Sequence, residues 1–463
     1  MRISADGWWI EEAGSSPALF PLEGAAQADV AIVGAGYTGL WCAWRILELD
    51  PGCRVVLLDR QRAGHGPSGR NGGFCKGVWM NLPALVAEFG DDGALAVARA
   101  CDDAVTAIEA WCRDEGVDAW FRRGGYLSVS THAAHDTVHV DAVAHARRLG
   151  VPDRIVSLTE NQTRSRFGAP TARGGVFDPS GATLHPARLA RALRDRLLDQ
   201  GVSLHEHSPV VAVHEHSDGV RLETPGGSVE AQRVVLAAGP RLAAFGPLHG
   251  KLTVASSHAI VTEPVPDVLA EYGWTGGEAI IDRRTLLHYL RTTPDGRIVF
   301  GWGGGRPAMG ARIHGAINGD PAAAARAAAH LAELLPAVRG RTVEQGWGGP
   351  IDISPTTLPA LVPVGPRVDA AFGYTGRGVG PTRLLGELLA ARALGHADDR
   401  TRLPIVGTPR GTVPPEPVRW VGATAVRAAL VANDERDAAG RRPGALPRFV
   451  AGLPARLGIT VGR

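Results

Sequence analysis

A glycine-rich turn between a short strand and a helix constrains the fold of this chain more than any other feature. Residues 29–33 predict a buried strand, and the turn after it reads Gly34-Ala35-Gly36-Tyr37-Thr38-Gly39. Residues 37–49 predict a helix that Pro51-Gly52 stops, and residues 54–59 predict a second buried strand. Strand, turn, helix and strand make a βαβ unit with the spacing of a dinucleotide-binding turn.

Each glycine of this turn has a physical role. Gly34 permits the tight turn, Gly36 lets the backbone approach a pyrophosphate, and Gly39 lets the helix pack closely on the sheet. Asp59 ends the second strand, where a carboxylate can bind a ribose hydroxyl. An ordinary glycine turn is the alternative, and the strand-turn-helix context favours the nucleotide. One clear fingerprint argues against an enzyme that holds two dinucleotides.

Composition excludes several other classes of protein. The chain has 463 residues, enough for about two domains, and a net charge of +2 that gives no reason to expect nucleic acid or a membrane as a partner. The five cysteines include no Cys-x-x-Cys pair, the N-terminus has no signal pattern, and no apolar run is long enough to span a bilayer. We therefore expect a cytoplasmic protein with reduced thiols.

Five further segments carry a family resemblance. They are Gly64-His65-Gly66-Pro67-Ser68-Gly69-Arg70-Asn71-Gly72-Gly73-Phe74, the D-P-S-G-A-T-L-H-P run at 178–186, T-E-P at 262–264, Y-L-R at 289–291 with D-G-R at 295–297, and G-Y-T-G-R-G-V-G-P at 373–381. With the N-terminal turn, they resemble the D-amino-acid oxidase-like superfamily of FAD enzymes, which includes glycine, sarcosine and γ-glutamylputrescine oxidases. The resemblance extends over roughly residues 29–394.

The resemblance implies a mixed α/β fold. A Rossmann-like FAD-binding domain would carry an inserted substrate domain built on a large mixed β-sheet. We expect an N-terminal arm at 1–28, an FAD domain from 29–80, 183–250 and 345–400, a substrate domain from 81–182 and 251–344, and a proline- and arginine-rich tail at 401–463. The tail is expected to wrap the surface or to meet a partner chain.

The resemblance also implies the FAD contacts. The pyrophosphate would meet Gly34, Gly36, Tyr37, Thr38 and Gly39; the adenosine would meet Asp59, Arg60, Val211 and Gly239; the ribityl chain and ring would meet Ser68, Arg70, Asn71, Gly72 and Gly73; and the pyrimidine end would meet Arg377, Gly378, Val379 and Gly380. Relatives that bind FAD covalently have a histidine or cysteine where this chain has Ser68 and His288. We therefore expect non-covalent FAD.

The chemistry implied is hydride transfer from a carbon next to an amine nitrogen to flavin N5. Aromatic walls would position the amine, with Tyr289, Trp302 and Trp347 as candidates. Arg291 would clamp a substrate carboxylate, His258 would face the flavin, and Lys76 would help oxygen accept electrons. The alternatives are core packing for the aromatic residues and the histidine, an ion pair for the arginine and a solvated position for the lysine.

Several functions remain open at this stage. The leading one is an oxidase of a small amine or amino acid that passes electrons to dioxygen and releases hydrogen peroxide and an imine. The others are a dehydrogenase with a quinone or protein acceptor, a flavin-dependent hydroxylase and a non-catalytic FAD-binding protein. A homodimer is one possible assembly. The His-Glu-His segments at 205–207 and 214–216 would lie on neighbouring strands, but we expect no metal site.

Overall fold

The computed structural model describes residues 1–138 and 140–460, and two large β-sheets organise it. The strands are β1 Arg2–Ile3, β2 Gly24–Val33, β3 Val55–Leu58, β4 Phe74–Cys75, β5 Tyr126–Ser130, β6 Val156–Leu158, β7 Gly174–Asp178, β8 Ala182–Thr183, β9 Ser203–His205, β10 Ala212–Glu215, β11 Val220–Thr224, β12 Gly227–Leu236, β13 Thr253–Thr262, β14 Ala279–Asp282, β15 His288–Thr292, β16 Ile298–Trp302, β17 Val343–Ile353, β18 Ala360–Pro363 and β19 Val368–Phe372. The helices are α1 Trp8–Glu12, α2 Tyr37–Leu49, α3 Leu82–Asp114, α4 Val140–Arg148, α5 Glu160–Arg164, α6 Pro186–Asp199, α7 Pro266–Glu271, α8 Pro321–Leu334, α9 Val379–Ala393, α10 Val418–Ala438, α11 Ala445–Ala451 and α12 Leu453–Arg456.

The first sheet is built around the βαβ unit. Its parallel strands run in the order β9-β3-β2-β12-β19, and β18 joins the edge antiparallel to β19. The first half of β12 also closes an antiparallel meander with β11 and β10. Helices α2, α3, α6 and α9 share one hydrophobic core with this sheet, as the continuous apolar strands of a covered parallel sheet require.

The second sheet is mixed and has nine strands, in the order β1-β17-β13-β16-β15-β14-β5-β7-β6. Most neighbours are antiparallel, whereas β14 pairs parallel with β5 and β1 pairs parallel with β17. Helix α8 covers one face of this sheet, where it shares a hydrophobic core with the apolar side chains of β16. Trp8, Trp9 and Trp347 form a smaller cluster on the other face, so the N-terminal segment is part of the interior.

The fold class expected from the sequence is confirmed, and α2 has the bounds that were predicted for it. We expected a domain boundary at residue 345, which falls within β17. This strand pairs with β13 along its whole length, so all of it lies in the nine-stranded sheet. The segment after residue 400 forms helices α10 to α12 within the described residues. The two His-Glu-His segments are not on neighbouring strands, since β9 and β10 lie at opposite edges of their sheet.

Candidate active site

The glycine turn at the start of α2 is closely packed on its neighbours. Gly34 has φ 109°, and a Cβ on Gly39 would lie 1.9 Å from the carbonyl oxygen of Gly34. The N-cap residue Gly36 has no side chain to cap the helix, and the Tyr37 N–H donates instead to the Ser68 hydroxyl over 2.9 Å. The remaining N–H groups of the first turn, including that of Thr38, are therefore left for a ligand.

Asp59 lies beside this turn, as the sequence predicts. Its carboxylate accepts from the Ala35 N–H at 2.7 Å and the Gln61 N–H at 2.8 Å, and burial raises its pKa to about 6. Each carboxylate oxygen has a further lone pair for a ribose hydroxyl. Arg60 is exposed beside it.

The two other adenosine candidates differ in their surroundings. Val211 is exposed, and its N–H already donates to the carbonyl of Glu223 at 2.8 Å, so only its carbonyl is free for a nucleobase. Gly239 follows β12, next to the glycine turn, and a Cβ there would meet nothing within 4 Å.

Asn71 holds the loop that follows β3. Its amide donates to the Ser68 carbonyl at 2.8 Å, and its side-chain oxygen accepts from the Gly73 N–H at 2.7 Å. The Arg70 guanidinium points elsewhere: it donates to the carbonyls of His65 and Ala5. The Arg70 side chain therefore contacts the N-terminal segment and fixes the loop.

The turn before α9 packs against the segment that carries Lys76. A Cβ on Gly380 would lie 2.5 Å from the Lys76 carbonyl oxygen, so the two backbones touch. Gly378 is the N-cap residue of α9, and Val379 is its first residue. Nη1 of Arg377 is buried and has no hydrogen-bond partner among the described residues, and burial lowers the pKa of this arginine. Such an orphaned donor indicates a missing acceptor.

An aromatic wall connects these two glycine segments. A Cβ on Gly72 would lie 2.9 Å from the Tyr289 ring, which packs edge-on against Phe74 with 5.9 Å between ring centres. Phe74 in turn lies 6.2 Å from Tyr126, and Nζ of Lys76 lies 4.5 Å from the centre of the Tyr126 ring. We call these four side chains, Tyr289, Phe74, Tyr126 and Lys76, the aromatic wall.

Sequence reasoning missed two members of the wall. Phe74 directly follows the Gly72-Gly73 pair and could have been found from that position alone. Tyr126 begins β5 without any motif around it, so only the three-dimensional structure brings it to Lys76.

Lys76 is buried, and within the described ranges no carboxylate makes an ion pair with its ammonium. Its ammonium donates to the Gly77 carbonyl at 3.4 Å, and burial, with the nearby charge of Arg377, lowers its pKa to about 8. The solvated lysine that the sequence allowed is therefore not what the structure has. A buried lysine with a lowered pKa is typical of functional sites.

Arg291 is committed to the main chain. Its guanidinium donates to the carbonyls of Leu184 and Thr292 and lies 5.2 Å from the Trp9 ring, and burial lowers its pKa to about 9. The structure thus differs from the expected carboxylate clamp: this arginine joins β15 to the segment before α6. The sequence could not show it, because the acceptors come from distant parts of the chain.

Of the three other expected side chains, His258 and Trp302 lie away from the aromatic wall, whereas Trp347 belongs to a cluster against which Tyr289 packs. Trp347 packs on Trp9 and donates to the Arg70 carbonyl at 2.9 Å. His258 bonds to Ser256 at 3.0 Å on the opposite face of β13 from Ser257, and burial lowers its pKa to about 4. Trp302 lies on that same face, beneath α8.

The site fits an FAD molecule. The glycine turn of α2 leaves space and N–H groups for a pyrophosphate, and the orphaned Arg377 donor matches an acceptor at the pyrimidine edge of a flavin. Among residues 1–138 and 140–460 no group of side chains is arranged to hold a metal ion. Within the same ranges no helix is long and apolar enough to cross a membrane.

Comparison with known sequences agrees with this geometry. The DAO family, described as FAD dependent oxidoreductase, matches residues 29–392. The chain is 29% identical over 431 residues to the probable oxidoreductase OrdL of Rhizobium meliloti, covering 89% of this chain and 94% of that protein. It is 27% identical over 373 residues to the gamma-glutamylputrescine oxidoreductase of Escherichia coli, covering 80% of this chain and 84% of the relative.

Solved structures share the fold. The glycine oxidase from Geobacillus kaustophilus superposes with a TM-score of 0.66 at 21% identity, over 81% of this chain and 96% of its own. The L-proline dehydrogenase from P. horikoshii gives a TM-score of 0.65 at 17% identity, over 81% and 96% of the two chains. Sequence, fold and site agree, and the chain belongs to the DAO family of FAD-dependent oxidoreductases.

Proposed function

We propose that this protein oxidises the carbon next to the nitrogen of a small amine or amino acid, passes the electrons to dioxygen, and yields an imine and hydrogen peroxide. The observation that supports this most is the aromatic wall, which connects the Gly72 loop to the Arg377 turn. When bound, FAD supplies the hydride acceptor at N5. The naming of one relative for gamma-glutamylputrescine is consistent with an amine substrate.

The residues of the wall give an amine the environment it needs. Hydride loss requires the neutral amine, which a water-poor pocket favours over the ammonium form. Burial raises the pKa of Tyr289 to about 12, so its phenol stays protonated and can act as a hydrogen-bond donor or acceptor. Aromatic faces also attract a cationic or partly cationic nitrogen.

Arg377 is proposed to stabilise negative charge at the pyrimidine edge of the flavin. The guanidinium stays charged at neutral pH, and α9 begins directly after this turn with its N-terminal N–H groups uncapped by a side chain. A fixed cation and a helix N-terminus aimed at developing charge act without reorganisation.

FAD is proposed to be held non-covalently. The Ser68 hydroxyl accepts a hydrogen bond from the Tyr37 N–H. Relatives that bind FAD covalently attach it through a histidine or a cysteine, not through a serine. His288 is enclosed on the α8 side of its strand, between Asp282 at 2.7 Å and His330 at 2.8 Å. Tyr289, the next residue, faces the other side, so His288 does not face the aromatic wall.

We also propose that the sheet with the glycine turn belongs to an FAD domain and that the nine-stranded sheet belongs to a substrate domain. The homodimer stays a prediction. The five cysteines are all free and buried, which supports our proposal of a cytoplasmic location.

An anaerobic screen tests the function. Purified yellow protein is mixed with primary and secondary amines and amino acids while flavin absorbance is followed, and at least one compound is expected to bleach it. Air is then admitted and hydrogen peroxide is measured. Bleaching with rapid peroxide release supports the oxidase, whereas bleaching that only a quinone reverses would establish the dehydrogenase instead. If no amine bleaches the flavin, the amine chemistry is wrong.

A further inference from the structure

A buried carboxyl group adjoins the aromatic wall. Tyr126 on β5 and Asp178 on β7 are direct partners in the antiparallel pair, so their side chains lie on the same face of the sheet. The carboxyl of Asp178 is 1% exposed, and its Oδ2 has no hydrogen-bond partner among the described residues. A buried carboxyl oxygen without a donor is costly, which suggests that it serves something besides packing.

The other oxygen of Asp178 lies in a short chain of hydrogen bonds. Oγ of Ser180 lies 2.6 Å from Oδ1 of Asp178 and 2.8 Å from Oδ1 of Asp102. One hydroxyl has a single proton to donate, and an ionised carboxylate has none. The Ser180 N–H also donates to Oδ1 of Asp178, at 2.9 Å. We take the two short hydroxyl contacts as two separate hydrogen bonds, which need a second proton on one of the two carboxyl groups.

The surroundings assign that proton to Asp178. Asp102 is the ionised partner, because its Oδ2 accepts from the Arg154 guanidinium at 2.9 Å. Asp178 makes no direct ion pair with any residue that the structure describes, and burial raises its pKa. The sequence of groups is thus carboxylic acid, hydroxyl and carboxylate, and it ends beside Arg154, whose side chain is half exposed.

The charged and titratable groups around Asp178 lie on several elements. The charge of Lys76, after β4, lowers the pKa of Asp178 from the side of the aromatic wall. The charge of Asp102, on α3, raises the same pKa from the other side. Cys101, also on α3, and Arg377, before α9, act on Lys76 in turn. The chain of hydrogen bonds therefore begins beside the aromatic wall and ends at Arg154.

We propose that Asp178, Ser180 and Asp102 form a proton relay from the aromatic wall to the protein surface. The inference rests on the proposed function, in which a bound alkylammonium ion loses one proton from nitrogen before its carbon gives up a hydride. That proton binds Oδ2 of Asp178 as the N–H bond breaks, directly or through Lys76. The proton on Oδ1 passes to Ser180, the hydroxyl proton of Ser180 passes to Asp102, and Asp102 releases one proton to solvent.

The shared proton is tested first, by a measurement that needs no turnover. Infrared spectra of oxidised holoenzyme in H₂O and D₂O should contain the carbonyl stretch of a protonated carboxylic acid. This band should shift in D₂O, disappear in Asp178→Asn and move in Ser180→Ala. Ser130→Ala is the matched control, since it removes another serine–aspartate bond, in which buried Ser130 on β5 donates to the partly exposed Asp136 at 2.6 Å. A wild-type spectrum without the band overturns the relay.

The proton path is tested next by anaerobic stopped flow with a pH indicator. Ser180→Ala should slow both flavin bleaching and proton release by at least about 10-fold, within the range of general acid–base effects. Small proton carriers such as imidazole or azide should restore the rate, which they would not do for a purely structural defect. Wild-type rates in Ser180→Ala, or slow rates without rescue, overturn the proposal.

The two proposals fail in different ways. If no amine bleaches the wild-type protein, the proposed function is wrong and the relay loses its proton source, although the infrared band would still be present. If amines bleach the wild type and the band is missing, the function stands and the relay alone is wrong.

Discussion

Tyr289 crosses Gly301 to reach Ser257. The two residues lie on β15 and β13, which are separated by β16, and the phenol oxygen lies 3.0 Å from the serine hydroxyl. Gly301 is the direct partner of Tyr289 on β16, and a Cβ there would lie 1.9 Å from Cζ of the ring. The missing side chain of Gly301 therefore gives the ring its position over the sheet.

Gly301→Ala should move the Tyr289 ring and lower kcat/KM by at least about 10-fold, while overpacking costs about 1–3 kcal/mol of stability. Steady-state kinetics and thermal unfolding measure both effects. Gly303→Ala is the matched control, because its Cβ would have 3.5 Å to the nearest atom. Equal activity of Gly301→Ala and wild type would show that the ring position is unimportant.

Gly39→Ala should abolish tight FAD binding. The new Cβ would meet the Gly34 carbonyl at 1.9 Å and push the start of α2 away from the sheet, which displaces the N–H groups that a pyrophosphate needs. The ratio of flavin to protein absorbance measures the loss. Gly52→Ala, beyond the other end of the same helix, has its nearest contact at 3.4 Å and should keep its flavin.

Arg377→Gln should make the bound FAD harder to reduce. We expect the midpoint potential to fall by about 30–60 mV, where 30 mV corresponds to about 1.4 kcal/mol for a two-electron couple. Spectroelectrochemical titration measures the shift. Arg392→Gln, at the other end of α9 and paired with Asp369 at 2.9 Å, should leave the potential in place.

Lys76→Met should stabilise the protein at neutral pH. The folded pKa of about 8 lies below the ordinary value of 10.5, so folding disfavours the charged form. The full cost, about 3 kcal/mol at 1.36 kcal/mol per pKa unit, applies below pH 8 and declines as the pH rises toward 10.5. Thermal unfolding between pH 6 and 10 should show a gain in Tm that shrinks with pH. A gain that grows with pH would contradict the assignment.

Acid precipitation should release all of the FAD into the supernatant. We expect no yellow colour or fluorescence in the washed protein pellet, and a mass spectrum of the denatured chain without added flavin. Retained colour would contradict non-covalent binding, and Ser68→Ala and His288→Ala would then identify the attachment point.

Local patterns in the sequence predicted the elements whose signals are local. The bounds of α2 follow from a glycine turn before it and Pro51-Gly52 after it, and the βαβ unit follows from α2. Sheet membership of β17 depends on pairing with β13, which is about ninety residues away, and local pattern does not encode that pairing. The helices after residue 400 were missed because the tail was judged by its prolines and arginines as a whole. Residues 418–438 contain no proline and six alanines, a composition that favours a helix.

The candidate site was predictable where motifs carry it and not where packing does. The candidates Asp59, Asn71 and Arg377 came from motifs, and their contacts with FAD stay predictions. His258 was expected to face the flavin, but a strand shows two faces and sequence alone does not tell which one meets the ligand. The main-chain acceptors of Arg291 could not be expected from the sequence, because carbonyl groups have no sequence signature.

Several side chains among the first dozen residues are part of the protein interior. Trp9 is fully buried against Trp347 and beneath the guanidinium of Arg291, and β1 forms the edge of the nine-stranded sheet. Removing these residues would leave a cavity beside the nine-stranded sheet. Affinity tags for purification are therefore better attached at the opposite terminus.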